Sequence, residues 1–217
     1  MDGIIASAFI IPGHTGEIAK CALQITSMLH AKPSETFAVA SATRKAEADI
    51  IRRVKYIGLL QVSPALRPIE IMTSVHESAY NDCVLFFDGD AAISPMSLTR
   101  LFEAYRSQPD AVYCAALKDL GDIDGFVYGS YLSEDGSSKP IIADEKRTGR
   151  DQVECLQYGC IVASKSVLSD ISQDSPVSCI EELSRKLTDK SISMYCVNDS
   201  FISYKGLTNL GVETSNA

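Results

Sequence analysis

Two aspartates separated by one glycine, Asp88-Gly89-Asp90, follow directly on the apolar run Cys83-Val84-Leu85-Phe86-Phe87. The run reads as a buried strand, so both carboxylates emerge at its carboxyl end. In open α/β sheets ligands bind at that end, near a switch in strand order. Two carboxylates this close raise each other's pKa, and a shared cation relieves the repulsion. Mg²⁺ or Mn²⁺ accepts one or two carboxylates and fills its other positions with diphosphate oxygens and water. Gly89 lets the backbone turn tightly and approach a ligand closely. Taken alone, the tripeptide is also an ordinary solvated turn, because Asp-Gly pairs are common in turns. The strand before it and the Ser94-Pro95 helix start after it favour the metal-binding reading.

The elements on either side must present that turn. Residues 4–11 form a continuous apolar run closed by Pro12-Gly13, as in a buried parallel strand followed by a turn. Ile18, Cys21, Ala22, Ile25, Met28 and Leu29 repeat with a helical period over 17–29. A second strand is expected over 36–42, and Thr43 can cap a helix running to about Ile57. Residues 69–72 read as a weaker strand and 76–81 as a short helix. After the aspartates, a helix from Ser94-Pro95 runs through Tyr105, and 111–117 return as a strand. This βα alternation predicts an α/β fold with a mostly parallel central sheet flanked by helices.

The second half is less regular. Strands are expected over 126–132, 153–162 and 192–197, and helices over 165–171 and 177–187. The polar stretch 134–151 reads as a long loop, and the tail after Gly206 as loose. No repeat or linker interrupts the chain, so residues 1–217 read as one domain.

Composition sets the outer bounds. Of 217 residues, 46% are hydrophobic and 22% charged, as in a globular domain with a real core. A net charge of −8 argues against a broad nucleic-acid-binding face. No apolar run approaches the ~18 residues of a membrane span. Asp2 stands where a signal peptide would carry positive charge, so the expected location is cytoplasmic. The seven cysteines, odd in number and mostly within apolar runs, read as reduced buried thiols, and no CxxC pair suggests zinc.

The stretch from Val84 through Asp88-Gly89-Asp90 to Ser94-Pro95, followed by Leu98, Leu101 and Tyr105, resembles the DxD region of GT-A glycosyltransferases. It is most similar to the large inverting family that includes many small bacterial and viral sugar transferases. The resemblance extends over about residues 4–206, but only the DxD segment is specific. It implies the GT-A fold, with a nucleotide-sugar-binding half over about 1–117 and a smaller, mixed acceptor-binding half over about 118–206. It implies a nucleotide-sugar donor, UDP-sugars first among them, a glycan or glycoconjugate acceptor, and Mn²⁺ or Mg²⁺ as cofactor. By the same match Asp90 would bind the metal directly, and Asp88 would contact the ribose, or the metal through water.

Other positions are carried over less specifically. Pro12, Gly13 and His14 stand where such families have a nucleotide-contacting turn, although His14 is equally a surface turn residue. Thr43 and Arg44 stand where the base usually packs, and Arg44 either pairs with a phosphate or is solvated. Gln157-Tyr158-Gly159-Cys160 resembles the strand near the acceptor. Glu181-Glu182 occupies the place of an acidic pair at a helix start, with Glu182 as the base candidate. An acidic pair also suits a helix N-terminus through the helix dipole alone. The usual pair is Glu-Asp, and the longer Glu182 side chain shifts the carboxylate. The QxxRW signature of processive members is absent. Near the end, Ser203-Tyr204-Lys205 stands where some members supply a metal-binding histidine. Lys139, Lys146, Arg147 and Arg150 of the polar stretch either close over the donor or are solvated. Two alternatives share parts of the pattern. One is a HAD-like phosphatase using Asp88 and Asp90, and the other a non-catalytic carbohydrate-binding relic of the fold.

Overall fold

The computed structural model describes residues 5–12, 18–29, 35–41, 45–54, 57–63, 65–120, 123–173 and 177–204. β1 (Ser7–Ile11) is buried along its whole length, and α1 (Ile18–Leu29) turns its Ile18, Cys21, Ala22, Ile25 and Leu29 inward. β2 (Thr36–Ser41), α2 (Lys45–Arg53) and β3 (Gly58–Val62) follow. The helix expected to reach Ile57 therefore ends at Arg53, and a strand that the sequence reading did not separate begins at Gly58.

Residues 69–72 were expected as a strand but lie in a helix, α3 (Pro68–Val75). The start signals outweigh the local isoleucines. Pro68 opens the helix, and Arg67 N donates to the Glu70 carboxylate at 2.6 Å. A 3₁₀ turn (His76–Ser78) leads on to β4 (Cys83–Asp88) and β5 (Ala91–Ile93). In α4 (Pro95–Ser107) the Ser94 hydroxyl caps the Ser97 amide at 3.1 Å, as the Ser-Pro pair predicts.

β6 (Val112–Leu120) and β7 (Ile123–Leu132) come next. The stretch read as a long loop contains two strands, β8 (Ser138–Ala143) and β9 (Arg150–Gln152). β8 is largely exposed and pairs only with β7, so it lacks the apolar run that marks a buried strand. The strand expected over 153–162 is confined to β10 (Cys160–Ser164). α5 (Lys165–Ser172), α6 (Ile180–Asp189) and β11 (Met194–Tyr204) complete the order.

The strands join in the order β3-β2-β1-β4-β10-β6-β11-β5, with β7 on β6, β8 on β7 and β9 on β11. β3, β2, β1 and β4 are mutually parallel, as are β6 and β11. β10 runs antiparallel to both β4 and β6, and β5, β7, β8 and β9 are also antiparallel to their partners. The sheet is thus mixed, not mostly parallel. The βα alternation fixes only the first four parallel strands, and β10 enters from the less regular half.

Helices cover both faces. Ile18 and Ile25 of α1 and Leu98, Leu101 and Phe102 of α4 pack on Ile10, Leu85 and Phe87. Met72 of α3, Leu168 of α5 and Leu183 of α6 pack on Phe9, Ile11, Val84 and Phe86 from the other side. Burying each large apolar side chain of this kind contributes about 2 kcal/mol. The two-sided covering explains why Cys83–Phe87 is apolar at every position instead of alternating.

Candidate active site

Three chain segments meet at the carboxyl end of β4. Asp88 is the last residue of that strand and pairs in register with Ile11 of β1. Gly89 N donates to Ile11 O at 2.8 Å, and Asp88 N donates to Gly159 O at 2.9 Å, just before β10. Asp90 N donates to Asp88 Oδ1 at 2.9 Å, so the turn is closed by its own first carboxylate. Tyr204, the last residue of β11, donates its hydroxyl to Asp88 Oδ2 at 3.3 Å. Asp88 is thereby oriented through both oxygens. Asp90 is half-buried and leads straight into β5, where Ala91 pairs with Tyr204.

The surroundings keep this site a hard-oxygen site. Burial, and then the charges of Asp88 and Asp90, push the Tyr158 phenol well above its usual range. Burial and then Asp88 do the same to Tyr204. Both remain neutral hydrogen-bond donors near pH 7. Cys21, whose Sγ lies 3.9 Å from the Asp88 carbonyl oxygen, is pushed up to about 12 by burial, with Asp88 and Asp90 adding to it. No thiolate or phenolate from these three therefore competes with the carboxylates at neutral pH. Among the described residues no group of three or more His, Cys, Asp or Glu side chains is placed to hold a metal ion. Two carboxylates fit Mg²⁺ or Mn²⁺, which keep several positions for water and phosphate oxygens, better than they fit a closed zinc site.

Gly159 sets how closely these segments approach. Its φ is +117°, and an added Cβ would strike the Tyr204 hydroxyl and lie 2.5 Å from Ile202 Cδ1. Only glycine fits there. Sequence reasoning placed Gly159 in a strand near the acceptor and missed this role. The one signal was a glycine between two residues of an otherwise buried run.

The structure brings some predicted residues together. Pro12 follows Ile11 directly and so stands beside the Gly89 turn, half-buried. Gly13, His14, Thr43 and Arg44 lie outside the described residues, as does Lys205. Glu181 and Glu182 stand in the first turn of α6, as expected of the acidic pair. Their hydrogen bonds run elsewhere than to Asp88-Gly89-Asp90. Glu182 accepts from Ser178 N and Ser178 Oγ, each at 2.8 Å, which hold its carboxyl below the ordinary value. Glu181 accepts from Ser138 Oγ of β8 at 2.7 Å. Burial works to raise its pKa, but the Ser138 bond and helix-start donors bring it below the ordinary value.

Of the basic residues in the stretch 134–151, Lys139 is exposed on β8, and Lys146, Arg147 and Arg150 are exposed but lie over aromatic rings. Arg150 lies 4.8 Å from the Tyr195 ring centre and donates to Tyr113 Oη at 3.1 Å. Arg147 lies over Tyr128 and pairs with Asp151 at 3.3 Å. Lys146 sits 4.9 Å above the Phe201 ring. A cleft of about 750 Å³ opens over β5, the start of α4 and the end of β11.

No family model matches this chain, and no curated protein matches it. Among solved structures 514 chains match, so the architecture is widespread and does not by itself choose a chemistry. One is GalNAc-T7 solved with UDP, GalNAc and Mn²⁺, at a TM-score of 0.69 and 9% identity. That alignment covers 94% of this chain but 44% of GalNAc-T7, so this chain spans under half of that protein. Another is mannose-1-phosphate geranyltransferase from Thermus thermophilus, at a TM-score of 0.53 and 11% identity, covering 88% and 73% of the two chains. At these identities the likeness is one of fold: the chain has a mixed α/β architecture shared with these two proteins.

Proposed function

We propose that this chain is a metal-dependent glycosyltransferase that moves a sugar from a nucleoside diphosphate sugar to an acceptor hydroxyl. The observation that carries this reading is the Asp88-Gly89-Asp90 turn at the carboxyl end of β4, with Asp88 fixed by Tyr204 and by the Asp90 amide. In this reading, residues 1–117 form the donor half and 118–206 the acceptor half. Asp90 is the direct metal ligand, and Asp88 faces the ribose or a metal-bound water. A divalent cation held there supplies charge neutralisation to the departing diphosphate. Pro12, Gly13 and His14 border the nucleotide from β1, and Thr43 and Arg44 border its base from the end of β2.

On the acceptor side, Glu182 accepts the proton of the attacking hydroxyl. The new bond forms from that oxygen to the anomeric carbon as the bond to the diphosphate oxygen breaks. Attack opposite the leaving group inverts the anomeric configuration. To act so, Glu182 must exchange its Ser178 hydrogen bonds for the acceptor hydroxyl. The fold of GalNAc-T7, a protein solved with UDP and Mn²⁺, supports the donor class.

The test is calorimetric titration of UDP, GDP and UDP-sugars with and without Mn²⁺. One nucleotide is expected to bind only when the metal is present, and Asp90→Ala is expected to abolish that binding. Metal-dependent binding that survives unchanged in Asp90→Ala would refute the assignment.

A further inference from the structure

The cleft over β5, α4 and β11 carries three cations in an acidic protein. Among the described residues its wall carries Arg100, Lys118 and Lys146 and the carboxylate of Asp199, while the whole chain bears a net charge of −8. That carboxylate is ion-paired with Arg100 inside the same wall. The cations come from separate elements: Arg100 from α4, Lys118 from the end of β6, and Lys146 from the segment between β8 and β9. The start of the 13-residue α4 also borders the cleft through Ser94 and Ser97, adding the positive end of a helix dipole.

The remaining surface suits a saccharide. Phe201 lines the cleft beneath the Lys146 ammonium, and Met96 lines it with 65% of its surface exposed. An aromatic face and an exposed thioether give the C–H face of a pyranose apolar surface to rest on. At about 750 Å³ the cleft falls within the size range of small-ligand sites. It shares strands β5 and β11 with the proposed reaction centre. Ala92 and Ser203 pair across β5 and β11 and both line it, and each is the immediate chain neighbour of one of the paired residues Ala91 and Tyr204. Tyr204 in turn holds Asp88.

We infer that this cleft seats an acidic saccharide, bearing a phosphate or a carboxylate, as the acceptor. The inference rests on the glycosyltransferase reading for the word acceptor, but the binding site stands on its own lining. Compact ammonium groups on Lys118 and Lys146 suit an anionic substituent approached from two sides. Phe201 and Met96 take the ring.

The experiment is titration of the full chain, without donor, with glucose 6-phosphate, glucuronate, glucose and inorganic phosphate. It is repeated for Lys118→Gln/Lys146→Gln, with UDP plus Mn²⁺ titrated in parallel on both proteins. At least one acidic sugar is expected to bind at least tenfold more tightly than glucose, and at least tenfold more weakly in the double variant, with UDP–Mn²⁺ binding unchanged. A phosphate-only preference names a phosphosugar, and a glucuronate-only preference names a uronic acid. Three results would overturn the inference: equal binding of glucose, acidic-sugar binding that ignores the two lysines, or inorganic phosphate binding as tightly as either sugar. UDP–Mn²⁺ affinity that falls with the lysines would assign the cleft to the donor diphosphate and overturn it too. Loss of UDP–Mn²⁺ binding in the unsubstituted protein refutes the transferase reading instead, so the two failures are distinct.

Discussion

Glu182 joins two demands that point in different directions. As the first-turn carboxylate that ties Ser178 to α6 it is best as a stable anion, and its two bonds from Ser178 favour that state. As a general base it works best with a pKa near the operating pH. Two substitutions separate the roles. Glu182→Gln keeps an oxygen that accepts from Ser178 but removes the base; if the proposal holds, turnover falls at least ~10²-fold with little change in Tm. Glu182→Ala loses the two Ser178 bonds as well, costing about 1 kcal/mol and lowering Tm by a few degrees. Turnover that survives in Glu182→Gln would leave the residue as a structural tie to Ser178 only. The folded-state pKa is depressed, so the carboxylate's stabilising effect is present above the unfolded value and is lost as pH falls through the folded one. The stability gap between native protein and Glu182→Ala should therefore be full at neutral pH and close under acid, below the ordinary glutamate value of 4.5. Tyr204 poses a simpler case. Tyr204→Phe removes one donor to the Asp88 carboxylate and keeps the ring, so Mn²⁺-dependent nucleotide affinity should fall about tenfold. Unchanged affinity in that titration would show that Asp88 needs no support from β11.

At the scale of elements, the site depends on how closely β11 and the start of β10 approach the end of β4, and Gly159 sets that distance. Gly159→Ala places a methyl group against Tyr204 and Ile202 on a backbone with φ of +117°. It should destabilise the fold by about 1–3 kcal/mol and weaken metal-dependent nucleotide binding together, because the displaced residue is the one holding Asp88. Denaturant unfolding and nucleotide titration of the same variant check the two effects. None of this contact was legible in the sequence, where Gly159 and Tyr204 stand 45 positions apart and only pairing across the sheet joins them. What was legible follows a physical pattern. β1, β4, α1 and α4 are marked by continuous apolar runs, helical periodicity or a Ser-Pro cap, and these fix local structure without help from partners. α3 reads as a strand because its isoleucines favour strands, while Pro68 and Glu70 in its first turn decide otherwise. β8 is hidden because an exposed strand paired with β7 alone has no run of buried residues to betray it. The antiparallel β10 follows from neither composition nor spacing, since strand direction is set by the path of the chain between strands. The aspartate turn is readable because its strand and helix flank it in sequence, whereas the acidic pair is placed by position alone.

The whole molecule determines which atoms a metal ion or an oxidant meets. All seven cysteines are free thiols; six are buried, and Cys179, just before α6, is half-buried. Cys114 and Cys196 are side by side in the β6–β11 register, yet both lie inside the sheet's covered face. Burial, with nearby carboxylates adding to it, pushes both Cys21 and Cys83 up to about 12. At neutral pH these two are thiols, which neither attack disulfide reagents nor bind soft metals. A chromogenic disulfide reagent should therefore report about one reactive thiol in the native protein, and all seven once the fold is opened in guanidinium. Cys179→Ser should remove the native signal while leaving the unfolded count lower by one. Rapid titration of several thiols in the native state would mean that the core opens readily. The Asp88 turn would then lie beside an accessible Cys21, and its selectivity for hard cations would rest on the carboxylates alone. A slow, single-site reaction would instead mean that packing of α1 against the sheet keeps sulfur away from the metal. Core burial and cation choice would then be one property of the same arrangement of helix and strand.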